Sequence, residues 1–125
     1  VPLSIPPRFP VATHNAARVF WYLKSTDAER AVDWAHSGLR AYFARGVDPS
    51  DNAALEALAQ EFGLAPGIAE LVWSDPRWKL QLKQENDAAI AAGVFGAPFF
   101  VVDGEPFWGN DRRTQIERWL EQGPF

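Results

Sequence analysis

The side chains best suited to bind a ligand lie near the end of the chain, in the run Asn110-Asp111-Arg112. Where a helix begins, free backbone N–H groups and the positive end of the helix dipole attract a ligand carboxylate. A carboxylate such as Asp111 at this point can pair with an ammonium group. Asn and Asp are also among the best helix N-caps, so the residues leave both roles open. Arg112 has equally open roles: orienting Asp111, binding a carboxylate, or remaining solvated.

A second feature is the pair Ala97-Pro98, directly before the apolar run at residues 99–102. Proline is tolerated as the first residue of a strand, which gives the pair an ordinary structural explanation. An X-Pro bond also adopts the cis form at a cost of only about 0.5–1 kcal/mol. The residues alone therefore allow two explanations, a simple strand start and a turn with a cis bond.

Four residues of the N-terminal third are weaker candidates. Arg8 suits an anionic carboxylate, although a surface role fits it as well. Asn15 is expected near a helix start, and it could also hydrogen-bond within a cleft. Phe20 and Trp21 could line a pocket for an aromatic substrate, but aromatic residues at helical spacing more often belong to a core.

Composition bounds the function. The 125 residues are 47% hydrophobic, with six Trp and nine Phe, which is enough for one domain with a core. The net charge of −4 is spread along the chain and forms no basic patch for nucleic acid. No apolar run approaches the roughly 20 residues of a membrane span, and no signal-peptide pattern is present.

His14 and His36 lack metal-ligand spacing, and we expect structural roles for both and no metal.

The chain contains no cysteine, so no disulfide or Cys-x-x-Cys redox pair can form within these residues. This composition fits a reducing compartment, and we expect the cytoplasm.

Helical periodicity and capping signals predict five helices in the first three quarters of the chain. Their expected bounds are about 13–24, 27–45, 48–62, 66–74 and 76–92, the third with Asp and Ser near its start. Thr26 with Glu29 forms a capping-box pattern for the second helix. The buried stripe expected for that helix is Val32, Ala35, Leu39, Tyr42 and Phe43, and the one expected for the fifth is Trp78, Leu82, Ala89 and Ala92.

Strand character appears only near the C-terminus. The segments FFVVDG and EPFWG flank Asp103-Gly104, a strong hairpin turn signal. A last helix is expected at about 112–121, burying Ile116, Trp119 and Leu120. The continuous apolar run at 99–102 is typical of a strand covered on both faces, and a lone hairpin is marginal in water. Further strands are therefore expected from residues upstream of Val1 or from a partner chain.

The same conclusion is favoured by the start of the chain. It has no initiating Met, and its first eleven residues, VPLSIPPRFPV, are rich in proline and apolar. We expect the chain to be part of a longer one.

A run of helices followed by a Gly-Ala-Pro turn, a hairpin and a closing helix resembles the second half of a DsbA-type thioredoxin-like domain. More narrowly, GVFGAPFFVVDGEPFWGNDRR (93–113) resembles the C-terminal signature of the 2-hydroxychromene-2-carboxylate isomerases and kappa-class glutathione transferases. PPRFPVATHNAAR (6–18) resembles the beginning of that family's helical insertion. The resemblance implies an α/β, thioredoxin-like fold. In it, residues 1–92 are a connecting segment and an all-α insertion, and residues 93–125 are the C-terminal hairpin and helix.

The resemblance also implies roles for individual residues. Pro98 would follow a cis bond, and the N–H and C=O of Ala97 would pair with the cysteinyl backbone of glutathione. Asp111 would hold the amino group of the γ-glutamyl end, and Asn110, where the family often has Ser or Gln, would hold its carboxylate with Arg112 nearby. Arg8 would lie near the substrate entrance. The family's first β-α-β unit, with the serine that faces the glutathione sulfur, would precede Val1, which leaves no catalytic residue in this chain.

The activity implied by the resemblance is a glutathione-dependent isomerisation in aromatic degradation, between 2-hydroxychromene-2-carboxylate and an o-hydroxybenzylidenepyruvate. The partners would be glutathione, a small aromatic substrate, and either a second copy of the chain in a homodimer or the upstream segment. Nucleic acid and membrane are not expected partners. The alternatives are a kappa-type glutathione transferase, a DsbA-like thiol-disulfide oxidoreductase, and a non-catalytic helical interaction domain. A Ser or a Cys-x-x-Cys upstream would distinguish isomerase from oxidoreductase.

Overall fold

The computed structural model describes residues 2–125 and shows mostly helix with one small sheet. The elements in chain order are α1 (His14–Lys24), α2 (Ala28–Arg45), α3 (Asn52–Phe62), α4 (Ile68–Ser74), α5 (Pro76–Ala91), β1 (Phe99–Val102), β2 (Glu105–Trp108), a 3-10 turn (Asn110–Arg112) and α6 (Arg113–Gln122). The expected order of five helices, a hairpin and a closing helix is confirmed. The chain forms two compact units, a first unit that ends at Glu85 and a second unit at 86–125.

Aspartates fix where three of the helices begin. The Asp27 carboxylate accepts a hydrogen bond from the backbone N–H three residues later, at 3.2 Å. Asp51 accepts from two N–H groups at the start of α3, at 2.9 and 3.1 Å, and Asp75 accepts one at 2.8 Å in α5. The expected capping box at Thr26 is wrong. The Thr26 hydroxyl instead donates a hydrogen bond to the Leu23 carbonyl, at the end of the preceding helix α1. Asp27, one residue later, is the N-cap of α2.

The core of the first unit lies inside a helical bundle. Helix α1 contacts α2 and α4, and α3 contacts the same two helices, so the four enclose a common interior. The interior is made of Val19, Leu23, Ala31, Trp34, Ala41, Leu55, Leu58, Ala59, Leu64, Ala69, Val72, Trp73 and Trp78.

The buried face of α2 differs from the expected stripe. Ala31 and Trp34 point inward, whereas Val32 and Leu39 are about half exposed, at 48% and 58%. The Trp34 indole N–H donates to the Ala16 carbonyl of α1 at 2.9 Å, which holds this face of α2 against α1. Of the stripe, only Tyr42 is fully buried.

Helix α5 buries less than its pattern predicts. Trp78 is buried and contacts the Tyr22 ring edge-on, with the ring centres 5.7 Å apart. Leu82 and Ala89 are only half-buried, and Ala92 is exposed beyond the end of the helix. The stripe expected for α5 is therefore right at Trp78 and wrong at Ala92.

The second unit is built on an antiparallel hairpin. Phe100 lies opposite Phe107, and Asp103 and Gly104 form the turn with positive φ angles of 52° and 82°, as the Asp-Gly signal predicts. On one face, Phe107 is buried against the rings of Trp119 and Phe125.

On the other face of the hairpin, Val101 and Trp108 are more than half exposed. Leu120 of α6 is also exposed, contrary to expectation, whereas Ile116 and Trp119 are half-buried. The Trp119 indole donates to the Asp103 carboxylate at 2.7 Å and ties α6 to the hairpin turn. In the part of the chain that the structure describes, no helix is both long enough and apolar enough to cross a bilayer.

Candidate functional site

Asn110 and Asp111 lie in the 3-10 turn that precedes α6. The turn is closed by the Arg112 N–H, which donates to the Gly109 carbonyl at 3.2 Å. Within residues 2–125, the backbone N–H groups of Asn110 and Asp111 donate to no other group. Neither side chain caps a helix, so the N-cap role is wrong for both residues. The turn therefore presents two free N–H groups and an exposed carboxylate side by side.

The Asp111 carboxylate is itself free of partners across residues 2–125 and is exposed. It folds back over Gly109, where a Cβ atom would collide with its Oδ1 oxygen. Gly109 also has a φ of 103°, a backbone conformation that side chains disfavour. Gly109 thus provides the space that the Asp111 carboxylate occupies.

Arg112 turns away from this carboxylate. Its guanidinium donates weakly to the Gln115 side chain at 3.4 Å, and no hydrogen bond joins it to Asp111. Arg112 therefore does not orient Asp111, which was one of its three possible roles.

The turn before β1 is joined directly to this site. The Ala97–Pro98 bond is cis, as expected, and the Gly109 N–H donates to the Pro98 carbonyl at 3.0 Å. The N–H and C=O of Ala97 have no backbone partner in residues 2–125, and the residue is exposed. The structure therefore brings Ala97, Pro98, Asn110 and Asp111 together in one part of the second unit.

Two glycines and a tryptophan that support this part of the chain were missed by the sequence analysis. The Trp108 indole lies so close to Gly96 that a Cβ there would be 2.6 Å from its nitrogen. Trp108 also contacts the Phe95 ring, with centres 5.3 Å apart. Gly96 directly precedes the proline turn, and Gly109 directly precedes the acidic turn. A glycine at each of these two positions was the sequence signal that could have indicated a close contact there.

Arg8 belongs to the first unit and is already paired. Its guanidinium lies 3.1 Å from the Asp48 carboxylate, and its carbonyl accepts a hydrogen bond from the Tyr42 hydroxyl. Hydrogen bonds from Ser50 lower the pKa of Asp48, and the Arg8 charge adds to this effect. Burial, with the charge of Asp48, raises the pKa of Tyr42.

The remaining candidates of the first unit have structural contacts. Asn15 donates to Asn52 at 3.1 Å and accepts from Arg18 at 3.3 Å, and so links α1 to α3. Phe20 meets Trp21 edge-on, at 5.2 Å between ring centres.

The two histidines, His14 and His36, are both exposed. No group of three or more metal-ligating side chains occurs in residues 2–125.

The comparison with known proteins agrees with this architecture. Residues 1–121 match the DSBA-like thioredoxin domain family. The chain belongs to this family. The DsbA-type thioredoxin-like fold expected from the sequence is confirmed. A solved structure of 2-hydroxychromene-2-carboxylate isomerase superimposes with a TM-score of 0.84 over 98% of this chain and 58% of its own. At 24% identity that match shows the fold alone.

Two relatives carry the same name as that structure. A 2-hydroxychromene-2-carboxylate isomerase from Sphingobium xenophagum is 34% identical over 125 residues, which cover 96% of this chain and 60% of the relative. A protein of that name from Pseudomonas putida is 26% identical over 116 residues, covering 91% of this chain and 56% of the relative. The chain thus spans rather more than half the length of these relatives.

Proposed function

We propose that the protein containing this chain is a glutathione-dependent isomerase acting on 2-hydroxychromene-2-carboxylate or a closely similar aromatic carboxylate. The observation that carries the proposal is the 34% identity to the Sphingobium relative of that name, which extends over nearly the whole chain. The proposal draws its second support from the free polar groups around Asp111.

These groups fit the γ-glutamyl end of glutathione. That end carries an ammonium group and a carboxylate. The unpartnered Asp111 carboxylate suits the ammonium group, because charge-assisted hydrogen bonds are stronger than neutral ones. The free N–H groups of Asn110 and Asp111 suit the carboxylate.

The backbone of Ala97 supplies one further donor and one acceptor for a peptide unit. Pairing of this kind resembles the addition of a short strand, in which main-chain hydrogen bonds provide the affinity.

In the proposed reaction, the role of this chain is to bind glutathione and to orient it. Glutathione, when bound, supplies a thiolate nucleophile. Asp111 and the turn N–H groups fix one end of the tripeptide, and Ala97 fixes its middle, so that the reacting sulfur has one position. Holding two reactants in a productive geometry removes much of the entropic barrier of a bimolecular step. We assign no residue of this chain a direct role at the reacting atoms.

Two other functions share parts of this proposal. A DsbA-like thiol-disulfide oxidoreductase needs a cysteine pair, which these 125 residues do not contain, so a Ser or a Cys-x-x-Cys upstream of Val1 would distinguish it from the isomerase. A kappa-type glutathione transferase would use the same glutathione contacts and differs in the second substrate. We place the enzyme in the cytoplasm. We also propose that the exposed face of the hairpin, at Val101 and Trp108, is covered in a homodimer or by another segment of the protein.

The proposal is tested with the protein that contains this chain. The protein is purified and freed of small thiols by dialysis. It should then interconvert 2-hydroxychromene-2-carboxylate and o-hydroxybenzylidenepyruvate only after glutathione is added, and the change in absorbance measures the reaction. S-methylglutathione, which keeps the backbone and lacks the thiol, should inhibit by competition with glutathione. Isomerisation at the same rate without any thiol would exclude glutathione dependence, and absence of isomerisation with glutathione bound would favour the transferase.

A further inference from the structure

The first unit has a concave apolar surface that the proposed function does not use. An apolar cavity of about 320 Å³ lies between α1, α2 and α3. Its lining includes the buried side chains of Leu55 and Trp34 and the more than half-exposed side chain of Leu39. Every residue named here belongs to the first unit, so the cavity is a feature of that unit alone.

The chemistry of the walls specifies an uncharged ligand. Of the described residues that line the cavity, none carries a charge. The two polar aromatic groups are already engaged, since the Trp34 indole donates to Ala16 and the Tyr42 hydroxyl donates to Arg8. Both rings therefore offer only carbon to a ligand. A charged group placed here would lose its hydration without gaining a partner.

One polar group remains available. Thr13, which lines the cavity just before α1, caps no backbone N–H with its side chain. Its hydroxyl has no hydrogen-bond partner in residues 2–125. It can bond one hydroxyl or carbonyl of a ligand whose remaining surface is apolar.

The volume indicates two fused rings. An apolar cavity of about 150 Å³ binds one benzene ring, and the cavity here has about twice that volume. Ligand pockets of about 300 Å³ and above are typical for small molecules, with mostly apolar walls and few polar groups. We propose that this cavity is a binding site for a neutral bicyclic aromatic molecule with a single polar substituent, independent of glutathione.

Gly38 allows a sharp test. It lines the cavity from the middle of α2, and a Cβ built there meets no atom within 4 Å. A side chain at position 38 can therefore start without a collision at Cβ, and we expect that of Gly38→Leu to extend into the cavity. Replacing glycine inside a helix also favours the helical state. The variant should unfold at a temperature equal to or above that of the native chain. Val32→Leu adds bulk to an exposed side chain of the same helix and serves as the matched control.

The probe is 1-naphthol, titrated into the protein without glutathione and followed by calorimetry. We expect saturable binding with one site per chain, and a loss of affinity of about tenfold or more in Gly38→Leu. Val32→Leu should bind as the native protein does. The anion 1-naphthoate, which has the same rings, should bind at least about tenfold more weakly, since the walls offer no cation. Amide shifts confined to α1, α2 and α3 should accompany binding of 1-naphthol.

Three results would overturn the proposal. One is the absence of saturable binding to the native protein. Another is equal affinity in Gly38→Leu with the fold intact. The third is a dimer of the native protein that Gly38→Leu dissociates, which would assign this face of the bundle to contact between two copies of the chain.

Discussion

The Asp111 carboxylate lies over Gly109, in the space that any side chain at position 109 would need. Two independent features thus make glycine necessary there, the collision and a φ of 103°. The N–H of the same residue is bonded to Pro98. Gly109 therefore connects the proline turn to the acidic turn and leaves the carboxylate free for a ligand.

The first prediction concerns this contact. Gly109→Ala should displace the Asp111 carboxylate and weaken glutathione binding by about tenfold or more, because a charged hydrogen bond contributes about 1.5–3 kcal/mol. Calorimetry with glutathione measures the change. Gly123→Ala is the control, since Gly123 also has a positive φ, 84°, but a Cβ there meets no atom within 4 Å. Gly109→Ala should lose at least as much stability as Gly123→Ala, because it adds a collision to a similar backbone strain, and equal glutathione affinities in the two would refute a positioning role for Gly109.

The second prediction isolates the charge of Asp111. Asp111→Asn keeps the shape of the side chain and should raise the dissociation constant for glutathione by about tenfold. Its unfolding temperature should stay unchanged, since the carboxylate has no partner within residues 2–125. Glu117→Gln removes the same charge from an exposed position of α6 and should leave the affinity unaltered. A fall in stability without a change in affinity would instead make Asp111 a structural residue.

Local signals predicted the order of elements because they act over few residues. The helix starts fall where short polar runs precede them, with Asp51 and Asp75 as caps, and Asp103-Gly104 forms the predicted hairpin turn. The same reasoning failed by one residue at Thr26, since Asp27 competes for the cap and its carboxylate is the better acceptor. The buried face of α2 could not be predicted from periodicity, because it depends on packing against α1 and α3, where the Trp34 indole also donates a hydrogen bond to α1.

The candidate site was predicted unevenly for a similar reason. Resemblance indicated Ala97, Pro98, Asn110 and Asp111, and the structure brings these residues together. The space above Gly109 depends on how the Asp111 side chain folds back, which no pattern of residue types encodes.

The third prediction concerns a partly buried carboxylate of the first unit. Glu56 accepts a hydrogen bond from the Gly67 N–H at 2.7 Å and so joins α3 to the start of α4. Glu56→Ala leaves that N–H without its partner and should lower the free energy of unfolding by about 1–3 kcal/mol, measured with urea. Glu70→Ala, at an exposed position of α4, should change it by less than about 0.5 kcal/mol. Equal effects of the two substitutions would mean that the Glu56 bond adds nothing to stability.

The last prediction concerns acid. Hydrogen bonds from Ser50, with the charge of Arg8, lower the pKa of Asp48 below its ordinary value of 3.8. The folded state therefore binds the proton less readily than the unfolded state does. The stability from this group is fully present above about pH 4 and is lost as the pH falls through the lowered pKa. In Asp48→Asn the unfolding free energy should already be lower at neutral pH and should fall less between pH 4 and pH 2 than in the native protein.

Ser50→Ala removes the hydroxyl bond, the first of these causes, and should give an intermediate slope in the same acid titration. Arg8→Ala should have a smaller effect than Ser50→Ala, because the ion pair of Arg8 is largely exposed and such pairs contribute little. The reverse order would mean that the charge of Arg8, rather than the bonds from Ser50, keeps Asp48 ionised.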